Sequence, residues 1–229
     1  MKLVEAINTW QGEGPDSGVY CTLLRFKRCN LAENKTPCPW CDTLKKMSTL
    51  EEKEFDIELL RSMIYSSNGL IVTGGEPGLY LEELKYLFRE VINPPAFHKP
   101  VNIETNGYNI REVGEILQST ISSAKIIYSP KLHVPGELQK MIRVATEILE
   151  GEIYPNIYFK IVVDKTPECI SAIKALRSMF SRFTKGLIWL MPQGKTKDEV
   201  LANSKEVLKL CRELQVNFSG REHLVYGFE

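Results

Sequence analysis

The sequence predicts an α/β fold, a largely parallel sheet curled into a barrel or part of one. Two observations carry this. Short strand signals alternate with helix signals of about ten or more residues, the pattern of repeated βα units. The polar motifs fall just after the strands, and ligands of parallel α/β folds bind at the carboxyl ends of strands. A chain of 229 residues fits one domain spanning 1–229, with no internal repeat and no low-complexity tract.

The elements follow in order. Tyr20–Phe26 (YCTLLRF) reads as a strand, rich in branched and aromatic residues. Asp56–Tyr65 is helix-like, and Leu70–Thr73 (LIVT) is a short buried strand. Leu81–Val91 has helical periodicity, with Leu81, Leu84, Leu87 and Phe88 on one face, and Asn93-Pro94-Pro95 ends it. Val101–Glu104 (VNIE) is a strand, Ile110–Gln118 a helix, Lys125–Tyr128 (KIIY) a strand and Gly136–Leu149 a helix. Ile157–Val163 (IYFKIVV) is a strand, Pro167–Phe180 a helix, Leu187–Met191 (LIWLM) a strand and Lys197–Leu214 a long helix. His223–Tyr226 reads as a last strand, so that the segment 215–229 completes the sheet.

Bulk properties exclude several classes. Lys+Arg and Asp+Glu both number 29, so the net charge is zero, which argues against a broad nucleic-acid footprint. No apolar run approaches the ~20 residues that span a bilayer, and MKLVEAINTWQGEGP lacks the apolar core of a signal peptide. The expectation is a cytoplasmic protein with reduced thiols. Its six cysteines then read as metal ligands or buried thiols rather than disulfides. Cys21, Cys169 and Cys211 are scattered and read as small buried hydrophobes.

The other three cysteines cluster. Cys29, Cys38 and Cys41 lie in RCNLAENKTPCPWCDT, the last two in a Cys-Pro-Trp-Cys turn and the first eight intervening residues upstream. Structural zinc normally takes four protein ligands, and most iron–sulfur clusters take four cysteines. Three thiolates without an obvious fourth suggest a 4Fe–4S cluster with one open iron. The competing reading is a zinc knuckle with Cys21 or a histidine as fourth ligand, but Cys21 lies within a strand. Asp42 and Thr43 follow the last cysteine, where a plain role is helix capping. In Thr73-Gly74-Gly75-Glu76-Pro77, two glycines let the backbone approach a neighbour closely, either as a ligand cradle or as a tight strand-to-helix turn. Glu104-Thr105-Asn106-Gly107, Ser129-Pro130-Lys131 and Met191-Pro192-Gln193-Gly194 end three further strands.

A cysteine loop followed by GGEP at the end of the next strand resembles the radical S-adenosylmethionine (SAM) superfamily. The series Trp10-Gln11-Gly12-Glu13-Gly14-Pro15, Arg25, CPWCDT, TGGEP, ETNG, SPK, FKIVV and a closing H-x-x-V-x-G from His223 to Gly227 narrows the likeness. It resembles 7-carboxy-7-deazaguanine synthases over Thr9 to Gly227. Two departures stand out. The usual superfamily loop is Cys-x3-Cys-x2-Cys, whereas this one is Cys-x8-Cys-x2-Cys. Loop-closure entropy grows slowly with length, so the longer spacer is tolerable. Trp10 stands where the family usually carries an aliphatic residue.

The resemblance implies a partial (β/α) barrel of the radical SAM type, possibly trimmed. It implies conversion of 6-carboxy-5,6,7,8-tetrahydropterin to 7-carboxy-7-deazaguanine with loss of ammonia, using a 4Fe–4S cluster, SAM and Mg2+. It casts Cys29, Cys38 and Cys41 as cluster ligands and Thr43 as a Mg2+ ligand. Trp10, Gln11, Gly12, Arg25, Thr73, Glu104 and Asn106 would contact the pterin, with Arg25 forking onto its carboxylate. Gly74, Gly75, Glu76, Ser129, Pro130, Lys131, Met191 and Pro192 would line SAM. His223 reads as a terminal packing residue. An electron donor and a homodimer are also implied. Another radical SAM enzyme, such as a glycyl-radical activase, would share the cysteines and GGEP without needing QGEG or Arg25. A non-enzymatic metal-binding module would share only the cysteines.

Overall fold

The structure is a computed structural model that describes all residues except 42, 44–47, 93–96, 181–183 and 229, and the side chain of 185. The Asn93-Pro94-Pro95 stop and Asp42 therefore lie outside the described residues.

Strand β1 (Lys2–Leu3) leads into β2 (Glu5–Trp10) and β3 (Tyr20–Phe26). A short helix α1 (Asn30–Glu33) begins the cysteine loop, and β4 (Lys53–Glu54) pairs only with β1. After one leading helix, five βα steps then follow. Helix α2 (Ile57–Ser66) precedes β5 (Leu70–Gly74), and α3 (Leu81–Tyr86) runs on through a wider turn at Leu87–Val91. The rest are β6 (Val101–Thr105), α4 (Ile110–Thr120), β7 (Lys125–Tyr128), α5 (Glu137–Glu150), β8 (Ile157–Val163), α6 (Pro167–Met179), β9 (Ile188–Pro192) and α7 (Lys197–Leu214). Short β10 (Asn217–Phe218) and α8 (Glu222–Tyr226) close the chain.

Eight strands form one sheet in the order β10-β9-β8-β7-β6-β5-β3-β2. All neighbours run parallel except β2, which pairs antiparallel with β3. The repeated βα units predicted from sequence are thus present. Two boundaries differ. Glu5–Trp10 adds an edge strand that the sequence reading left out. His223–Tyr226 is not a strand but lies in α8, and Asn217–Phe218 adds the last strand instead. The helix is short and ends at Gly227 in the left-handed region, the usual C-terminal stop.

Side chains alternate between the two faces of a strand. The register places Leu24 and Phe26, Leu70 and Val72, Val101 and Ile103, Ile126 and Tyr128, Ile157, Phe159 and Ile161, Ile188 and Leu190 on one face. These pack in a single core with Leu60 and Ile64 of α2, Leu84 of α3, Val113 of α4, Met141 and Val144 of α5, Ile173 of α6 and Val207 of α7. That face is the outer, helix-covered one. The inner face mixes Leu23, Ile71, Ile127, Tyr158, Val162, Trp189 and Met191 with the polar Glu5, Arg25, Thr73, Asn102, Glu104, Lys125 and Lys160, and Gln11 reaches it just beyond β2. The edges β2 and β10 do not pair but are joined by the segment around them. Gly14 N donates to Ser219 Oγ at 2.9 Å, and Glu222 N to the Gly12 carbonyl at 3.0 Å. The sheet is therefore an incomplete barrel, its gap bridged by the QGEG loop and the C-terminal segment.

Candidate active site

The cysteine loop leaves the carboxyl end of β3 and is clasped by the carboxyl end of β5. Gly75 N donates to the Phe26 carbonyl at 3.0 Å, Glu76 N to the Arg28 carbonyl at 2.8 Å, and Arg28 N to the Tyr80 hydroxyl at 2.9 Å. The Tyr80 ring stacks on Phe26 with centroids 4.4 Å apart. This approach requires both glycines. A Cβ on Gly74, whose φ is +130°, would fall 2.2 Å from the Phe26 oxygen. One on Gly75 would fall 2.0 Å from the Arg28 oxygen and 2.8 Å from Cys29 N. The glycine pair is thus a tight turn, as the plain reading had it, and the neighbour it accommodates is the cysteine loop itself.

Glu76 extends the clasp. Its carboxylate is fully enclosed and accepts from Gly78 N at 2.8 Å, from Asn106 N at 2.7 Å and from the Thr105 hydroxyl. Burial pushes its pKa up, against the pull of those three donors. Asn106 then passes the connection back to the loop, its Nδ2 donating to Asn30 Oδ1 at 2.8 Å. TGGEP, ETNG and the cysteine loop form one hydrogen-bonded rim.

All six cysteines are thiols. Cys29 sits immediately before α1, and Cys41 N donates to the Cys38 carbonyl at 3.1 Å, closing the CPWC turn. Burial raises the Cys38 pKa, Lys131 opposes it, and Cys41 and Cys29 add to the rise. Among the described residues, no three Cys, His, Asp or Glu side chains converge to metal-ligand geometry. The three thiols share one loop without meeting at a point. Their chemistry, soft thiolates at the mouth of the barrel, fits an iron–sulfur cluster. Thr43 is half-buried, two residues beyond Cys41. Trp40 packs edge-on against His133 with centroids 4.8 Å apart.

On the inner face, Arg25 lies in register with Thr73 on β5 and opposite Glu5 on β2. Its Nε donates to Glu5 Oε2 at 2.8 Å with both side chains about 12% exposed. Its Nη groups make no hydrogen bond among the described residues, which leaves half of a buried guanidinium fork for an anion. Ser129 Oγ accepts from Lys131 Nζ at 2.8 Å at the end of β7. Pro130, Met191 and Pro192 are buried at the same edge. Trp10 is set apart from the rest. It is 50% exposed, points to the opposite face from Gln11, and packs edge-on against Tyr20 and Phe228.

A buried charge network lies across the inner face. Lys160 Nζ bonds Glu13 Oε2 at 2.6 Å and Glu104 Oε2. Gln11 Nε2 donates to Glu104 Oε1 at 3.3 Å, and Arg221 Nε to Glu13 Oε1 at 3.2 Å. Arg221 also donates to the Gly194 carbonyl, and His223 Nε2 lies 3.9 Å from Glu13. His223 packs against Gly12, where a Cβ would fall 2.8 Å from its Nδ1. Burial disfavours the charge of Lys160, but Glu104 and Glu13 more than offset this and raise its pKa. Burial pushes Glu104 up, and Lys160 opposes it. The sequence reading took in Gln11 and Glu104 but missed Lys160, Glu13 and Arg221. A signal existed: a lysine inside IYFKIVV, in a strand too apolar to be exposed, must be buried against carboxylates.

No family model matches the chain. It is 26% identical to the 7-carboxy-7-deazaguanine synthase of Hyperthermus butylicus over 236 aligned positions, covering 98% of this chain and 92% of that one. With the enzyme of that name from Thermoplasma acidophilum it shares 27% over 196 positions, 82% and 79% of the two chains. The match with the Haemophilus influenzae enzyme, 32% over 133 positions, spans about half of each, 56% and 55%. Among solved structures, QueE from Escherichia coli superposes with a TM-score of 0.60 at 19% identity, over 97% of this chain and 94% of that one, a likeness of fold.

Proposed function

We propose that this chain is a 7-carboxy-7-deazaguanine synthase of the radical SAM type, a reading its likeness to enzymes of that name supports, and that it converts 6-carboxy-5,6,7,8-tetrahydropterin to 7-carboxy-7-deazaguanine with release of ammonia, in a queuosine-type 7-deazapurine pathway. The observation that carries this reading is the three-thiol loop clasped at the rim of an inner face that holds a half-used arginine fork. Cys29, Cys38 and Cys41 would hold an iron–sulfur cluster which, with SAM, would supply radical chemistry at the substrate's C–H bond.

The chain's own residues bind and orient. Cys29, Cys38 and Cys41 hold the cluster, and their convergence comes with the metal, since such sites are rarely preformed without it. Gly74, Gly75 and Glu76 fix the loop's height above the barrel, while Ser129, Pro130, Lys131, Met191 and Pro192 flank SAM from the ends of β7 and β9. Arg25 takes the pterin carboxylate on its Nη groups, beside the Thr73 hydroxyl. Gln11 and Glu104 offer a donor and an acceptor to the pyrimidine edge from the barrel interior, and Asn106 braces the rim. Thr43 supplies its hydroxyl to Mg2+, which keeps waters or substrate oxygens elsewhere. The protein works in the reducing cytoplasm with an external electron donor, as a homodimer. No helix among the described residues is long and apolar enough to cross a membrane.

The test is an anaerobic assay of reconstituted protein with the carboxytetrahydropterin, SAM, Mg2+ and reductant, with the product identified by mass. Formation of the carboxydeazaguanine, lost on changing any of Cys29, Cys38 or Cys41 to Ala and kept in Cys169→Ala, is the expected result. A protein holding stoichiometric zinc, or one that cleaves SAM without ring contraction, would end this reading.

A further inference from the structure

Lys160 is a cation in the barrel interior with 5% of its side chain exposed, and it touches the carboxylates of Glu13 and Glu104. We infer that Lys160 is a positioning residue: it holds Glu104 as an ionised acceptor aimed at the paired N–H donors of the substrate's aminopyrimidine ring. This rests on the pterin reading above and extends it to a residue outside the resemblance's site roles.

The argument begins with counting lone pairs. A carboxylate has about four acceptor sites. Lys160 Nζ and Gln11 Nε2 take one on each oxygen of Glu104, so each oxygen keeps one. Two parallel acceptors match two parallel N–H donors, the geometry that makes carboxylate–guanidinium pairs strong. An aminopyrimidine presents such a pair at its ring N–H and its amino group. The acceptor must be ionised, and burial works against that. The charged groups facing Glu104 are Lys160 from β8, Glu13 from the QGEG loop and Lys131 from the end of β7. Arg221 and His223 reach Glu13 from the C-terminal segment. Lys160 is the cation bonded directly to Glu104. Without it, Glu104 and Glu13 would confront each other across the inner face, and the cheapest relief is for one of them to take up a proton.

The test uses the reconstituted protein with SAM and measures binding of 6-carboxypterin by calorimetry from pH 6.5 to 8.5. This oxidised ring carries no hydrogen on the carboxylated carbon, so turnover does not enter. Lys160→Met should bind at least about tenfold more weakly than wild type at pH 6.5. The deficit should shrink toward pH 8.5 as Glu104 regains its charge, with iron content unchanged. Lys160→Arg, which keeps the cation, should recover most of the affinity. A purely structural lysine would lower the melting temperature without giving binding a new pH dependence. If Lys160→Met does not fold, Glu104→Gln decides, since the role passes through that carboxylate: wild-type affinity there overturns the inference. Lys160→Met with wild-type affinity at every pH overturns it as well. A wild-type chain that binds no carboxypterin sinks the pterin reading and this inference together.

Discussion

Gly75→Ala isolates the clasp from the chemistry. The residue's φ is not in the left-handed region, so alanine meets no backbone penalty there. In an open site the change would stabilise by ~0.4–1 kcal/mol through the unfolded chain. The site is not open. The new Cβ would lie 2.0 Å from the Arg28 oxygen, where ordinary contact begins at 3.4 Å, so that carbonyl must retreat by roughly 1.4 Å. It is backbone, and it immediately precedes Cys29. A misplacement of ~1 Å in a reacting constellation costs on the order of a hundredfold in rate. Overpacking of this kind costs ~1–3 kcal/mol, which for a chain of this length lowers melting by roughly 2–12 °C. The assay is SAM cleavage per iron-loaded chain, with iron per chain and melting temperature measured beside it. The control is Gly186→Ala, where a Cβ meets nothing within 4 Å among the described residues. Gly75→Ala should lose about a hundredfold in SAM cleavage and Gly186→Ala should lose none. Full iron, unchanged cleavage and an unchanged melting temperature in Gly75→Ala would refute the argument that this close approach sets the height of the cysteine loop.

Three further outcomes follow from the same geometry. Arg25→Lys keeps a charge near Glu5 but removes the fork, so the apparent affinity for the carboxypterin should fall about tenfold or more with iron unchanged; wild-type affinity would remove Arg25 from the site. Glu76→Gln places an amide N–H against either Asn106 N or the donors at Oε1, an unsatisfied buried contact costing ~1–3 kcal/mol, and thermal melting should drop by several degrees; an unchanged melting temperature would show that the rim does not depend on this carboxylate. Thr43→Ala should raise the Mg2+ concentration needed for half-maximal turnover while Thr43→Ser retains more activity. A wild-type Mg2+ curve in Thr43→Ala, accompanied only by earlier melting, would make Thr43 a structural residue.

By itself the sequence determined the architecture. Strands of β-branched residues punctuated by helical periods carry their own local signal, and Lys125–Tyr128, Ile157–Val163 and Lys197–Leu214 fall where the pattern puts them. The cysteine loop and TGGEP were legible because their residue types are chemically specific and close in the chain. Glu5–Trp10 was not, because EAINTW alternates weakly and becomes a strand by pairing antiparallel with β3. His223–Tyr226 read as a strand because Leu224, Val225 and Tyr226 form a short apolar run, yet the edge position beside β9 is taken by Asn217–Phe218. Only tertiary structure decided what the glycines of TGGEP accommodate, which oxygens Glu76 and Glu104 commit, and that Trp10 and Gln11 face opposite ways. It also brought Lys160 to Glu13 across 147 positions of sequence and Arg221 to Glu13 across 208. Separations of that size leave no local pattern. They are set by the closing of the sheet, which turns one face of every strand toward a common interior where charges must find one another or go unpaid.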